Sequence, residues 1–262
     1  MMQLNRRSFI ESLSLFLTSP NFGLGLINSH DLILKEVPEA KPYIDFINEC
    51  RLKHAITFDV PLEVLIYHFH LESKYNPLAI SSRLAVGIAQ FMGKTAKDMG
   101  LKVYDNKELN FLEQRIESNF SKLRTLENGD EESRGFRTLF YNNDFKEAIR
   151  LKRNYDALRA ENELLIKNFR KQFLYYAKDQ DFDHRTNPHE SIETGTKFLI
   201  RCCYDAEVKF GGRREHNIIR GLAVYNYGPK ALDDGGLPNA KETIKHIRGV
   251  MAFTDKVYSQ SI

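Results

Sequence analysis

The chain has 262 residues, 42% of them hydrophobic and 28% charged, with only 8 prolines. That composition is ordinary for a globular protein, so disorder is not the default reading, and the length suits one large domain or two small ones. A net charge of +3 and a pI near 8.6 are too weakly basic to argue for nucleic acid, though they suit an anionic polymer such as cell wall.

Met1–Arg7 is basic, with Arg6 and Arg7 adjacent, and a short apolar stretch, Phe9–Leu17, follows. It is too short to span a membrane and reads as an export signal of the twin-arginine type over residues 1–28. A plain amphipathic segment is the alternative. Export would place the protein in the periplasm or cell envelope, with no transmembrane helix.

A helix is expected over Pro38–Phe58. Asp59-Val60-Pro61 opens another, with Leu62, Leu65, Ile66 and Phe69 on one face and Asn76-Pro77 as its stop. Thr95–Met99 reads as a short helix ended by Gly100. Asp105–Asp181 is charge-rich and free of proline. Leu151, Tyr155, Leu158, Leu165, Phe169, Phe173 and Tyr176 recur there at helical spacing. This stretch is expected to be a helical hairpin turning near Glu127–Gly135. It is either an insertion packed on the main domain or an arm for an envelope-protein partner.

Asn187-Pro188-His189-Glu190 is a strong helix start, and that helix should run to Phe210 before Gly211-Gly212. The next carries Ile219, Leu222 and Tyr225 and stops at Gly228-Pro229. A last one starts near Asn239 with Ile244, Ile247 and Met251. β-type alternation is nearly absent, so the fold class is mainly α. Cys50, Cys202 and Cys203 show no metal-ligand spacing. No metal and no organic cofactor is expected, and a bridge from Cys50 to one of the other two is left open.

Glu72 lies three residues after Phe69, on the apolar face of its helix and in its last turn. Burial and the negative end of the helix dipole both disfavour its ionised form. A carboxyl that keeps its proton is what a general acid for glycosidic cleavage needs. Taken alone, the stretch fits a capped or salt-bridged glutamate at a helix end better than a catalytic acid.

The wider context resembles the soluble lytic transglycosylases, which share the goose-type lysozyme fold. The residues that carry the resemblance begin with Glu72-Ser73, Tyr75-Asn76-Pro77, Ala79, Ser81, Ala85, Gly87, Gln90, Met92 and Thr95-Ala96. Asp183, Arg185, Asn187-Pro188, Ser191-Ile192 and Gly195 form a second group, and Ala223-Val224-Tyr225-Asn226-Tyr227-Gly228-Pro229 a third. Leu237-Pro238, Glu242-Thr243 and Val250 make the fourth. The four stand in the family's order and cover about residues 55–104 and 182–252. Leu84 stands where the family usually has Gly, Gly93 where it has Pro, and Ile244 and His246 where Arg and Tyr are common.

The resemblance implies a lysozyme-like α+β domain over 29–104 and 182–262, interrupted by the helical insertion 105–181. It implies cleavage of the MurNAc–GlcNAc bond of peptidoglycan, with Glu72 acting as acid and then base to leave 1,6-anhydro ends. It implies that the Tyr225 hydroxyl bonds the catalytic carboxylate; a core tyrosine bonded to backbone is the alternative. Ser73, Ser81, Gly87, Gln90 and Asn226 would shape or contact the sugar subsites. No second acid pairs with Glu72 by local spacing; Asp98 is better explained as a solvated helix residue. A hydrolytic muramidase on the same fold and a wall-binding assembly factor of a secretion or conjugation machine remain the rivals.

Overall fold

The computed structural model describes residues 26–130, 133–179, 181–233, 235, 237, 238 and 240–260. Most of the expected export signal, residues 1–25, lies outside them. Helices dominate. Strand-like pairing among the described residues is confined to isolated bridges, Ile80 with Val86, Val86 with Phe91 and Gly129 with Arg134. The expected mainly α class is what is found.

In chain order the α-helices are α1 (Leu26–Glu36), α2 (Ile44–His54), α3 (Leu62–Ser73), α4 (Gly93–Asp98), α5 (Lys107–Asn128), α6 (Phe136–Tyr141) and α7 (Phe145–Tyr176). They continue with α8 (Pro188–Phe210), α9 (Arg214–Tyr227), α10 (Lys230–Asp233) and α11 (Lys241–Gln260). Local chemistry sets several boundaries. The Asn106 side chain accepts the amides of Glu108 and Leu109 at the start of α5, and Asn187 accepts those of His189 and Glu190 ahead of Pro188.

Two expected boundaries move. The segment expected as one helix over Pro38–Phe58 is a 3₁₀ turn, Pro38–Ala40, followed by α2. Tyr43 is non-helical (φ −123°) and breaks it. α3 ends at Ser73, before Asn76-Pro77, because Lys74 and Tyr75 both adopt left-handed angles (φ 52° and 59°). Each such residue costs about 1 kcal/mol. The reversal is held from below: buried Tyr75 donates its hydroxyl to the Ile66 carbonyl at 2.9 Å and stacks on Tyr43.

Two hydrophobic clusters result. The larger packs α3 among α2, α8, α9 and α11, through Phe69, Leu65, Ile192, Leu199, Leu222 and Met251. The second lies in a hairpin arm of α5 and α7, through Leu109, Leu112, Ile116, Leu165, Phe169 and Phe173. The expected turn at Glu127–Gly135 is there, but α6 follows it and α7 begins only at Phe145. Cys50, Cys202 and Cys203 are all buried and free.

Candidate active site

The chain between α3 and α4 doubles back on itself as a loop, residues 76–91, and forms a shelf beside Glu72. Ser81 Oγ accepts the amides of Arg83 and Ala85, while Val86 and Phe91 exchange backbone hydrogen bonds at 3.0 and 3.1 Å. Gln90, itself left-handed at φ 50°, donates its side-chain amide to the carbonyls of Gly87 (2.8 Å) and Ala79 (3.2 Å). Ser81 and Gln90 were expected to offer hydrogen bonds to sugar; within the loop, Ser81 Oγ acts as an acceptor and the Gln90 amide nitrogen as a donor.

Gly87 has φ +84°, and a Cβ there would stand 1.9 Å from the Arg185 carbonyl oxygen. Its close approach is therefore to the segment entering α8. Arg185 and Asp183, 1% and 0% exposed, form a bidentate pair, with Nη2 to Oδ2 at 2.7 Å and Nε to Oδ1 at 2.9 Å. Arg185 Nη1 also donates to the Phe91 carbonyl at 3.1 Å. Every donor–acceptor match makes this buried pair tolerable.

Ala89, inside the shelf, is gripped at both ends of its peptide groups. Its amide donates to Ser191 Oγ of α8 at 3.1 Å, and its carbonyl accepts the Tyr225 hydroxyl of α9 at 2.7 Å. The resemblance put that hydroxyl on Glu72. The backbone carbonyl takes it, because the shelf passes directly over the Tyr225 ring tip and offers a buried acceptor that needs a donor. Glu72 nonetheless lies close enough for its charge to act on Tyr225. Burial first, and then Glu72, push the phenol well above its ordinary value.

Glu72 sits in the last turn of α3 with its side chain 13% exposed. Burial, with a smaller contribution from the carboxylate of Glu242 on α11, pushes its carboxyl up to about 8. No hydrogen-bond donor among the described residues satisfies it. Two imidazoles face it: His68 Nδ1 stands 3.9 Å and His246 Nε2 3.8 Å from Glu72 Oε1. The two rings share a hydrogen bond of 2.9 Å between those same nitrogens. Burial drives His68 well below the usual histidine range, with His246 adding to it, and drives His246 down to about 4. His68 also meets the Tyr225 ring edge-on at 4.3 Å.

The remaining residues take modest positions. Ser73 Oγ donates back to the Phe69 carbonyl at 3.4 Å. Asn226 is exposed and accepts the Thr243 hydroxyl at 2.6 Å, which leaves its amide group to offer. Asp98 is exposed, on α4.

His68, His246 and Glu242 were not foreseen as members of the site. His68 precedes Glu72 by four residues, a spacing that puts both on one helix face. His246 was visible as a departure from the family pattern, without a role. Glu242 was visible as a motif residue, without one.

The geometry thus sets a partly buried carboxyl at a helix end beside a shelf pinned by a tyrosine and a buried arginine. Residues 49–162 match the family model described as Transglycosylase SLT domain, a finding that supports the resemblance to the soluble lytic transglycosylases over that part of the chain. The matched span contains Glu72, Ser73, Ser81, Gly87 and Gln90 and ends within α7, ahead of Tyr225 and Asn226. No solved structure matches the chain. No helix among the described residues is long and apolar enough to cross a membrane.

Proposed function

We propose that the chain cleaves the β-1,4 bond between N-acetylmuramic acid and N-acetylglucosamine without water, leaving a 1,6-anhydro end. The observation that carries this reading is Glu72 itself. It is an acid without a hydrogen-bond donor among the described residues, shielded enough to sit near 8, and it retains a proton at neutral pH. That proton goes to the glycosidic oxygen as the bond to the anomeric carbon breaks, and N-acetylglucosamine leaves as the alcohol. The muramoyl 6-hydroxyl then bonds the anomeric carbon, and its proton returns to the Glu72 carboxylate. One carboxyl thus acts as acid and base, and the substrate supplies the nucleophile, an arrangement known outside the two-carboxylate pattern.

Tyr225 supports this by holding the shelf through Ala89, with Ser81, Gly87 and Gln90 giving the shelf its shape and Asn226 presenting an amide to the sugar. Ser73 fixes the helix end that carries Glu72. Residues 29–104 and 182–262 form the catalytic domain in this reading, with 105–181 as an insertion, and residues 1–28 direct export to the periplasm or cell envelope. The exposed Phe140, Tyr141 and Phe145 near the far end of the arm support an envelope-protein partner there.

Mass spectrometry of muropeptides released from purified peptidoglycan by the wild type and by Glu72→Gln tests the reaction. Products one water lighter than hydrolysis products, absent with the variant, are expected. Full-mass reducing ends would make the chain a muramidase. No release by either protein, beside a working control enzyme, would leave the assembly-factor reading.

A further inference from the structure

We propose that His68, Glu72 and His246 form a binding site for a transition-metal dication of the zinc type, and that its occupancy silences the acid. His68 Nδ1, His246 Nε2 and Glu72 Oε1 converge so that all three lie within 4.8 Å of one another. Their separations are 2.9, 3.8 and 3.9 Å. Zinc bonds to nitrogen and carboxylate oxygen are about 2.0–2.1 Å, which sets ligand edges near 3.3 Å in a tetrahedron. The triangle reaches that shape if the imidazoles part and the carboxylate closes by about half an ångström each, within side-chain reach.

Two neutral imidazoles and one carboxylate are a donor set zinc accepts, with a fourth position left for water. Two further observations point to a ligand. His68 is 0% exposed and its Nε2 has no hydrogen-bond partner, while its Nδ1, bonded to His246, faces the carboxylate from 3.9 Å. Glu72 has no donor of its own among the described residues, so a cation between the three would satisfy it. Glu242, whose charge already acts on Glu72, adds negative potential. Glu72 keeps 13% of its side chain exposed, and the ion has its way in there.

The third ligand stands where the family commonly has Tyr, so the site belongs to this chain's own sequence. A metal on Oε1 occupies the oxygen that must carry the proton. Zinc therefore inhibits wall cleavage, a consequence that rests on the acid role of Glu72; the binding itself does not.

The test is equilibrium dialysis of the full chain, stripped with EDTA, against ZnCl₂. One equivalent bound by the wild type, with affinity at least about 100-fold lower in His246→Tyr, is expected. Imidazole ¹⁵N shifts of the wild type give a check that needs no variant to fold: the His68 and His246 rings should move on zinc addition. No retained zinc, equal binding by the two proteins, or shifts confined to other histidines would overturn the site. In parallel, wall cleavage is compared in ZnCl₂ and in EDTA. Bound zinc with undiminished cleavage would overturn the inhibitory role. Zinc bound but no cleavage even in EDTA would sink the transglycosylase reading and leave the metal site standing.

Discussion

In the main body, Glu72, His68, His246 and Tyr225 are shifted chiefly by burial, each toward its neutral form. On the arm, Glu147 and Arg150 are shifted the other way, each toward its charged form, by a hydrogen bond to one another in full solvent. The main body packs α3 on several sides and withdraws water from whatever polar group lies on it. The arm is two long helices with one aromatic seam, so its charges stay wet and pair along the helix, as Arg159 with Glu163 and Lys152 with Asp156. Reactive protonation states arise where a helix is surrounded; a hairpin can supply reach and surface, and little else.

The sharpest way to break this contrast is at the shelf. Gly87→Ala puts a methyl into the Arg185 carbonyl at φ +84°, and neither backbone can yield. It should destabilise the chain by about 3 kcal/mol or more in urea titration, with wall cleavage lost at permissive temperature. A near-normal midpoint would mean that the shelf is far softer than its hydrogen bonds imply.

Leu84→Ala comes next. Leu84 is 2% exposed, left-handed at φ 64°, and packed in the arm's core although it sits on the shelf. A loss of about 2–4 kcal/mol is expected. Hydrogen exchange should quicken in α5 and α7 before α8 and α9; uniform quickening would mean one core, not two.

Glu72 itself sharpens the contrast through pH. Its carboxyl is raised from 4.5 to about 8, so between those values the folded chain holds a proton that the unfolded chain has released. Stability from this group therefore falls as pH rises across that window. Glu72→Gln should be more stable than wild type at pH 9, by about 1–3 kcal/mol, and show little advantage at pH 4. In EDTA-containing buffer, wild-type kcat/KM should fall as pH rises through about 8, because the acid is then ionised. A flat alkaline limb would remove Glu72 from the proton-donor role.

The smallest effect belongs to the arm's surface. Glu147→Ala should leave the melting temperature unchanged within error, since exposed pairs contribute little.

The main helices, their caps and Glu72 could be read from the sequence because each is a local matter of periodicity, an Asn-Pro start or a spacing from Phe69. The end of α3 could not, since Tyr75 turns back to Ile66 only once Tyr43 is there to stack on it. Nor could the partner of Tyr225, because Ala89 lies 136 residues away and is brought in by tertiary packing. His246, 178 residues from His68, meets it for the same reason. Leu84 could be seen as a departure from the family's glycine, but its compensation lies in the arm.

The stitches at the arm's base have one more effect. The His184 amide donates to the Lys102 carbonyl at 3.0 Å, Lys102 pairs with Asp181 at 2.7 Å, and the Tyr104 amide donates to Asp183 at 3.3 Å. Bringing together residues some 79 positions apart is slow for a floppy chain. Here the intervening chain folds as a hairpin whose two legs return to the same place, so most of that search is done by local zipping. The arm thereby acts as a folding guide, delivering Arg185 to the shelf that α3 and α4 leave open for it.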